Sequence, residues 1–270
     1  MKMKIEIKNQ NFTIDSDGRI DLSIPFSFDG QEANAFGAPS SKAEAYSNEQ
    51  FVGDTTQGGS CNVSLLKLVP HCNGTHTECV GHLTEEKIFV PQVLGGPWTI
   101  ARLVSLQPEK ASKTSETYGS KKEANDFIIS AKALEKALLN SDSKTFQALI
   151  IRTLPNNSSK RAKHYESAPY FSTEAMKYIR HLEIQHLMVD LPSIDKMSDG
   201  GELSNHRQFW QMEPGQKKSD SKTARHKLIT ELIYVPNEVY DGLYLLNLQT
   251  SNFLSDAVPS RPVIYPLEKA

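Results

Sequence analysis

Apolar residues along this chain recur mostly in short runs bounded by polar or glycine-containing segments, a pattern typical of strands. The pair Asp17-Gly18 separates the first two runs and permits the positive φ of a tight turn, so it predicts a β-hairpin. The run at 62–69 is apolar enough to predict a buried strand. The whole pattern predicts strands at 12–14, 20–22, 62–69, 88–94, 99–106, 148–151, 187–189, 228–235 and 243–248.

Two segments show helical features instead. Apolar residues three or four apart predict an amphipathic helix over 125–140, and Ser172 supplies the cap that begins a second helix. Residues 107–124 and 208–226 are polar and predict insertions at the surface. Because helices and strands alternate in the middle of the chain, we expect a mixed α/β fold in one domain that spans residues 1–270.

The composition is that of an ordinary globular protein, with 38% apolar and 23% charged residues and a formal net charge of −2. This balance argues against nucleic acid or an anionic membrane as the main partner, because both select a concentrated basic surface. No run approaches the roughly 18 apolar residues that span a bilayer, and the first ten residues lack the apolar core of a secretory signal. Three cysteines, Cys61, Cys72 and Cys79, give no disulfide framework, so we predict a cytoplasmic protein.

Residues 71–82 hold the densest group of metal-binding side chains, with three His, two Cys and one Glu. Imidazole, thiolate and carboxylate are the groups that bind divalent transition metals. Gly74 and Gly81 allow the sharp turns by which a loop brings such side chains together. The spacing matches neither a zinc finger nor His-Glu-x-x-His. These residues alone leave two interpretations open: a metal site built by a loop, or a polar loop with incidental His and Cys.

The same segment resembles the signature of the cyclase family, His-x-Gly-Thr-His-x-Asp-x-Pro-x-His, whose best-known members are bacterial kynurenine formamidases. Aligned on Gly74-Thr75-His76, the signature places Glu78 at the family's Asp and His82 at its last His. The resemblance extends over most of the chain. The further similar segments are 21–25, 189–195, 204–207, 230–232, 240–244 and 259–263.

The chain departs from the signature at three positions. Cys72 stands where the family has its first His, Glu78 replaces Asp, and Val80 replaces Pro. Thiolate and the longer carboxylate keep ligand chemistry, and a thiolate favours zinc over manganese. A shift of the loop by one residue would put His71 in the place of Cys72, so His71 stays open as the alternative first ligand.

The resemblance implies a swivelling β/β/α fold and a site with one or two divalent ions. It assigns one ion to Cys72, His76 and Glu78 and a second to Glu78, His206 and Glu231, with the two carboxylates shared. It makes His82 the general acid/base, a role that suits an imidazole because imidazole exchanges protons near neutral pH. The long gap before Glu231 leaves His226 open as the alternative to His206, and Phe36 is a weaker candidate for contact with the substrate.

The implied function is that of an arylformamidase-like amidohydrolase, in which water activated by the metal cleaves an N-formyl or cyclic amide bond of a small molecule. Zinc is the favoured cofactor and manganese the alternative. The altered signature also keeps lyase, dehydratase or cyclase chemistry of the same family open, and a metal-binding protein without catalysis is the alternative from another class. Members of the family commonly form dimers or larger oligomers, so the resemblance also implies a homodimer or larger homo-oligomer.

Overall fold

The structure is a computed structural model, and it describes residues 2–7 and 9–269. The first ten strands are β1 (Lys2–Ile7), β2 (Gln10–Asp15), β3 (Ile20–Asp21), β4 (Asn34–Ala35), β5 (Lys42–Ala45), β6 (Ser47–Asn48), β7 (Phe51–Val52), β8 (Ser64–Lys67), β9 (His76–Cys79) and β10 (Trp98–Leu106). The remaining strands are β11 (Glu109–Lys110), β12 (Phe127–Ile129), β13 (Ala148–Thr153), β14 (His164–Tyr165), β15 (Tyr170–Phe171), β16 (His186–Val189), β17 (Leu228–Glu231), β18 (Gly242–Thr250), β19 (Ala257–Pro266) and β20 (Glu268–Lys269). The α-helices are α1 (Val90–Val93), α2 (Ala131–Leu138), α3 (Thr173–His181) and α4 (Ser204–Trp210).

Seven strands form a closed, barrel-like sheet in the order β18-β10-β13-β16-β17-β9-β19, which closes because β19 also pairs with β18. The strands β10, β13, β16 and β17 run parallel to one another. The other pairings in the barrel are antiparallel, and β3 adds to the outside edge of β19. The mixed α/β fold expected from the sequence is therefore confirmed.

Alternate residues of the barrel strands face two different cores, as the two-residue period of a strand requires. Residues such as Leu103, Ile150 and Met188 fill the interior of the barrel. Their neighbours, such as Val104 and Val189, face outward and pack under the helices that cover one side of the wall. The interior is thus filled by side chains, and a second apolar layer lies between the wall and the helices.

Smaller sheets surround the barrel, including β1-β2-β20 and β11-β12-β15. The two-stranded sheets β5-β8 and β6-β7 form an exposed arm, residues 42–67. None of the helices in the described part of the chain is long and apolar enough to cross a membrane.

Two predictions in the N-terminal part of the chain are wrong: the strand pairing around Asp17-Gly18 and the burial of the strand at 62–69. The strands around Asp17-Gly18 do not form a hairpin: β2 pairs with β1, whereas β3 pairs with β19. A 3-10 turn begins there, with the Asp15 carboxylate accepting from the Asp17 N–H at 3.0 Å, and it carries the chain from one sheet to the other. The strand predicted at 62–69 exists as β8 but lies in the arm, where Leu65 and Leu66 are 50% and 51% exposed.

Two further predictions failed for local reasons. The segment 88–94 contains the single turn α1 rather than a strand, and Pro91 in its first turn explains the difference, because proline fits there but not inside a sheet. The segment predicted as a helix over 125–140 begins with β12 and becomes helical only at Ala131. The helix starting after Ser172 is confirmed, since its hydroxyl accepts from the Ala175 N–H at 2.9 Å.

Candidate metal centre

The loop before β9 is held in place by the backbone conformation of Gly74 and by the hydrogen bonds of Thr75. Gly74 has φ +80°, and a Cβ there would lie 3.0 Å from the Ile24 carbonyl oxygen, so the position favours glycine. The hydroxyl of Thr75 donates to the Leu232 carbonyl and accepts from the Ile24 N–H at 2.7 Å. These bonds tie the loop to the end of β17, and they set the point at which β9 begins.

The strand β9 then divides its side chains between the two faces of the barrel wall. Thr77 faces inward, where its hydroxyl lies 2.8 Å from that of Thr230 on β17. His76 and Glu78 consequently face outward, toward the helices. The register of β9 and β17 puts Glu231 directly opposite His76. The candidate site therefore lies on the outer surface of the wall and not inside the barrel.

A buried group of ligand atoms forms at this place from His76, Glu78 and Glu231. The Nδ1 of His76 lies 3.2 Å from the Gly74 carbonyl, which makes Nδ1 the protonated nitrogen and leaves the lone pair on Nε2. That Nε2 lies 3.6 Å from Glu231 Oε2. The other oxygen of Glu231 accepts from the Ile194 N–H at 2.8 Å, so the carboxylate is held with one edge toward the site.

His206 joins this group from α4. Its Nε2 lies 2.8 Å from Glu78 Oε1 and 3.7 Å from Glu231 Oε1, while its Nδ1 lies 2.6 Å from Asp195 Oδ2. Burial alone would lower the pKa of His206, but the carboxylates of Glu78 and Asp195 reverse this and raise it well above its usual value. A cation that binds at Nε2 therefore competes with a proton that the neighbouring carboxylates favour.

A second group shares Glu78 but is open to solvent. It contains His71, Glu78 and His82, and the two histidine side chains are 28% and 27% exposed. The Nε2 of His71 lies 3.6 Å from Glu78 Oε2 and 3.2 Å from Asp256 Oδ2. Asp256 also lies 3.6 Å from His82 Nδ1, and the His71 and His82 rings are 4.4 Å apart.

Glu78 belongs to both groups of ligand atoms, and the histidines around it determine the pKa of its carboxyl. Burial would raise the pKa of this carboxyl, but the imidazoles of His206, His82 and His71 outweigh burial and hold the pKa below its usual value. A carboxylate that stays ionised while fully buried is suited to bind a cation.

Both groups fit a divalent metal. The Nε2 of His76 is buried and makes no hydrogen bond among the described residues, although Glu231 Oε2 faces it at 3.6 Å. The Nε2 of His71 also lies 3.6 Å from Glu78 Oε2, beside its closer contact with Asp256. This distance is too long for a hydrogen bond. It matches ligands that share one ion, because atoms about 2.1 Å from a tetrahedral zinc stand about 3.4 Å from one another.

The sequence left two ligand positions open, one between Cys72 and His71 and one between His206 and His226, and the members of each pair lie in different places. Cys72 belongs to neither group of ligand atoms found among the described residues, and His71 belongs to the open one. Burial and the charge of Glu231 raise the pKa of the Cys72 thiol to about 11. His206 contacts Glu78 and Glu231 of the buried group, whereas His226 precedes β17 and lines a separate cleft with His186.

Phe36 is 49% exposed and follows β4, whose Asn34 forms a bridge with Asn73 beside the loop. The expected contact of Phe36 with a substrate therefore stays a prediction.

Two residues that the sequence did not assign to the site contact its histidines. Asp195 received no role in the site from the sequence, yet its Oδ2 lies 2.6 Å from His206 Nδ1. Its signal was its place in the segment 189–195 that resembles the family. Asp256 had no local signal, since it reaches His71 and His82 only because the following residue, Ala257, pairs with Glu78 across β19 and β9.

Comparison with known proteins supports the assignment drawn from the signature. The model of the Cyclase family matches residues 20–196, well over half of the 270 residues. The chain belongs to the Cyclase family. The resemblance inferred from residues 71–82 is thereby confirmed. A search of curated proteins found no match to this Cyclase-family chain.

Solved structures share the fold of this Cyclase-family protein at low identity. A predicted metal-dependent hydrolase from Bacillus stearothermophilus superposes with a TM-score of 0.58 at 16% identity, covering 92% of this chain and 97% of its own. Isatin hydrolase A from Labrenzia aggregata, bound to benzyl benzoate, gives a TM-score of 0.58 at 12% identity, with coverages of 93% and 94%. An isatin hydrolase bound to the product analogue thioisatinate gives 0.57 at 12% identity, with 92% of both chains covered.

Proposed function

We propose that this protein is a metal-dependent hydrolase that cleaves an N-formyl or cyclic amide bond of a small molecule. The observation that carries the proposal is the buried Nε2 of His76, which faces the carboxylate of Glu231 at 3.6 Å without a hydrogen bond in the described part of the chain. A buried imidazole nitrogen that faces a carboxylate without a hydrogen bond is costly unless a cation lies between them.

In this proposal His76, Glu78, His206 and Glu231 hold the ion. Imidazole and carboxylate donors suit zinc and also manganese, so both metals are tested below. When bound, the ion supplies Lewis acidity, which lowers the pKa of a water molecule and polarises a carbonyl oxygen. The histidine ligands are oriented by their other ring nitrogens, which face the Gly74 carbonyl and the Asp195 carboxylate.

His82 carries the proton in the proposed reaction. It lies at the open side of Glu78, where 27% of its side chain reaches solvent, so it can exchange protons with water and with a substrate. The carboxylate of Asp256 faces this ring, with Oδ2 3.6 Å from His82 Nδ1. His82 thus takes a proton from the attacking water and returns it to the nitrogen of the leaving group.

The substrate class follows from the resemblance and from the neighbours. Kynurenine formamidases act on an N-formyl amide, and two of the structural neighbours are named isatin hydrolases. Isatin contains a cyclic amide, so both types of substrate present an amide carbonyl beside an aromatic ring. The half-exposed Phe36 is the proposed contact for such a ring.

The test is metal analysis of the purified chain followed by an activity screen. We expect about one ion or more per chain after addition of zinc or manganese, and turnover of N-formyl aromatic amines, cyclic imides or isatin. Less than about one ion per chain under both conditions, or no turnover by the loaded protein across all three substrate types, would overturn the proposal.

A second candidate arrangement is favoured by the open group itself. Because His71, Glu78 and His82 can also surround an ion, His82 is a possible ligand of a second metal rather than the proton carrier. The two arrangements differ in stoichiometry: a dinuclear site binds about two ions per chain and loses one when His82 is replaced by Ala. In the proposed arrangement, the same replacement leaves the metal content unchanged.

The homo-oligomer implied by the resemblance is also part of the proposal. The arm 42–67 supports it, because Tyr46, Leu65 and Leu66 expose about half of their surface there. Light scattering on the full chain tests it, and the mass of a single 30.1 kDa chain would contradict it.

A further inference from the structure

Tyr118 is buried within a segment whose sequence predicts a polar surface insertion. Only 7% of the residue is exposed, and it packs in a small cluster with Ala111, Ile128 and Tyr170. The Tyr118 and Tyr170 rings are 4.7 Å apart. A buried phenol needs partners for its hydroxyl, and the partners of Tyr118 lead to the candidate metal centre.

The hydroxyl of Tyr118 contacts the carboxylates of two aspartates. It lies 2.7 Å from Asp195 Oδ1 and 3.1 Å from Asp199 Oδ2, and it accepts from the Lys196 N–H at 3.1 Å. A phenol has one proton to donate, and the shorter distance assigns that proton to Asp195. Burial and the charge of Asp195 raise the pKa of Tyr118 above its usual value, so the hydroxyl stays a donor.

The other oxygen of Asp195 holds the metal ligand. Asp195 Oδ2 lies 2.6 Å from His206 Nδ1, and the backbone N–H groups of Asn205 and His206 also donate to this carboxylate. His206 in turn directs Nε2 toward Glu78 at 2.8 Å. A continuous series of hydrogen bonds therefore runs from Tyr118 through Asp195 to His206.

We propose that Tyr118 is a positioning residue for the metal ligand His206, acting through Asp195. Its donated hydrogen bond fixes the rotation of the Asp195 carboxylate, which keeps the imidazole in the orientation that presents Nε2 to the ion. This inference rests on the proposed function, since it takes His206 as a ligand. Groups that orient a metal-binding histidine typically change metal affinity by about 10–100-fold when they are lost.

The experiment compares Tyr118→Phe with Tyr170→Phe in the full chain. The two tyrosines are neighbours, and the Tyr170 hydroxyl also donates to a carboxylate, that of Asp126 at 2.7 Å, which holds no histidine of the site. We expect Tyr118→Phe to raise the zinc dissociation constant about tenfold in competition with a chromophoric chelator. We also expect it to shift the visible absorption of the cobalt-loaded protein. Tyr170→Phe should do neither.

A double-mutant cycle with Asp195→Asn separates positioning from general destabilisation. If Tyr118 acts through Asp195, Tyr118→Phe has no further effect on zinc affinity once Asp195 is replaced. Additive losses, or equal losses from Tyr118→Phe and Tyr170→Phe, would overturn the inference.

A variant that keeps the ring and hydroxyl covers the case in which Tyr118→Phe does not fold. Replacing Tyr118 by 3,5-difluorotyrosine strengthens the donor, so the cobalt spectrum should shift, and the same replacement at Tyr170 should leave it unchanged. An unshifted spectrum at position 118 contradicts the inference. A wild-type chain that binds no zinc or cobalt contradicts the proposed function instead, so the two failures are distinguishable.

Discussion

His206 and His186 lie at opposite ends of the parallel strands, and their surroundings change the pKa values of the two imidazoles in opposite directions. At the carboxyl end, His206 is raised in pKa because the carboxylates of Glu78 and Asp195 outweigh its burial. At the other end, burial lowers the pKa of His186 to about 4. Its Nε2 is buried and makes no hydrogen bond within the described residues. The comparison shows that facing carboxylates, rather than burial, distinguish the proposed functional histidines from the others.

The largest expected effect comes from removing the carboxylate that the two groups share. Glu78→Gln keeps the shape but removes the charge between His206 and His71, so the proposed metal should fall from about one ion per chain to near zero, and turnover should be lost. Atomic absorption on the purified variant measures this. Glu86→Gln, which removes a carboxylate paired with Arg225, is the control and should bind metal normally.

Replacing the proposed proton carrier should separate catalysis from metal binding. His82→Ala is expected to reduce kcat by about 10²–10⁴-fold while leaving the metal content at the wild-type level, because the ligands of the buried group are untouched. Steady-state kinetics with metal analysis on the same sample test this. Undiminished turnover would remove His82 from the mechanism, and His181→Ala, an exposed histidine on α3, should match the wild type.

A paired substitution decides between the neighbouring candidates His71 and Cys72. His71→Asn should lower kcat/KM about tenfold, because the His71 imidazole faces Glu78 and Asp256. Cys72→Ser should change kcat/KM less than about twofold, because the Cys72 thiol belongs to neither group of ligand atoms found among the described residues. The reverse ranking would restore Cys72 as the first ligand.

The smallest expected effect concerns His186, at the other end of the barrel. It changes how the free energy of unfolding depends on pH, and it leaves activity unchanged. Because the folded-state pKa of His186 is about 4 and its ordinary value is 6.5, the unfolded chain binds a proton between these values that the folded chain does not. The contribution of His186 to stability is therefore unchanged above pH 6.5 and decreases as pH falls toward 4, by up to about 1.4 kcal/mol per pH unit.

Urea unfolding of the metal-free protein between pH 7 and pH 4.5 checks this expectation. His186→Gln should lose less stability than the wild type over that range, whereas His181→Gln should lose as much. A pH dependence that is identical in the wild type and in His186→Gln would show that folding does not lower the pKa of His186.

The sequence predicted the elements that burial specifies locally. The consecutive apolar residues 148–151 and 187–189 lie in the central strands β13 and β16, which are covered on both faces, and their pattern needs no knowledge of partners. Long-range pairing is different. Nothing in residues 10–21 indicates that β2 and β3 join different sheets, and the apolar residues of β8 give no sign that they lie exposed in the arm.

The candidate site also combines residues that the sequence predicted with residues that it did not. The resemblance assigned Cys72, His76, Glu78, His206 and Glu231 to the metal. The structure brings the last four together, although Glu231 and His76 meet only through the pairing of β17 with β9, and Cys72 belongs to neither group of ligand atoms among the described residues. Asp256 was not predicted, because its approach to His82 depends on the register of β19 against β9. Tyr118 was placed in an exposed insertion, because single-sequence polarity does not reveal a buried hydrogen-bond partner.

The position of the candidate site on the outer face of the wall has a consequence for how such a protein can diversify. The interior of the barrel is filled by its own apolar side chains and contributes none of the candidate ligands found among the described residues. Residues at the open side of the site, such as Asp256 in the loop before Ala257, belong to loops outside the barrel strands. Substrate preference can therefore be altered by mutating these loops without repacking the barrel, which makes them the natural targets for a directed-evolution library.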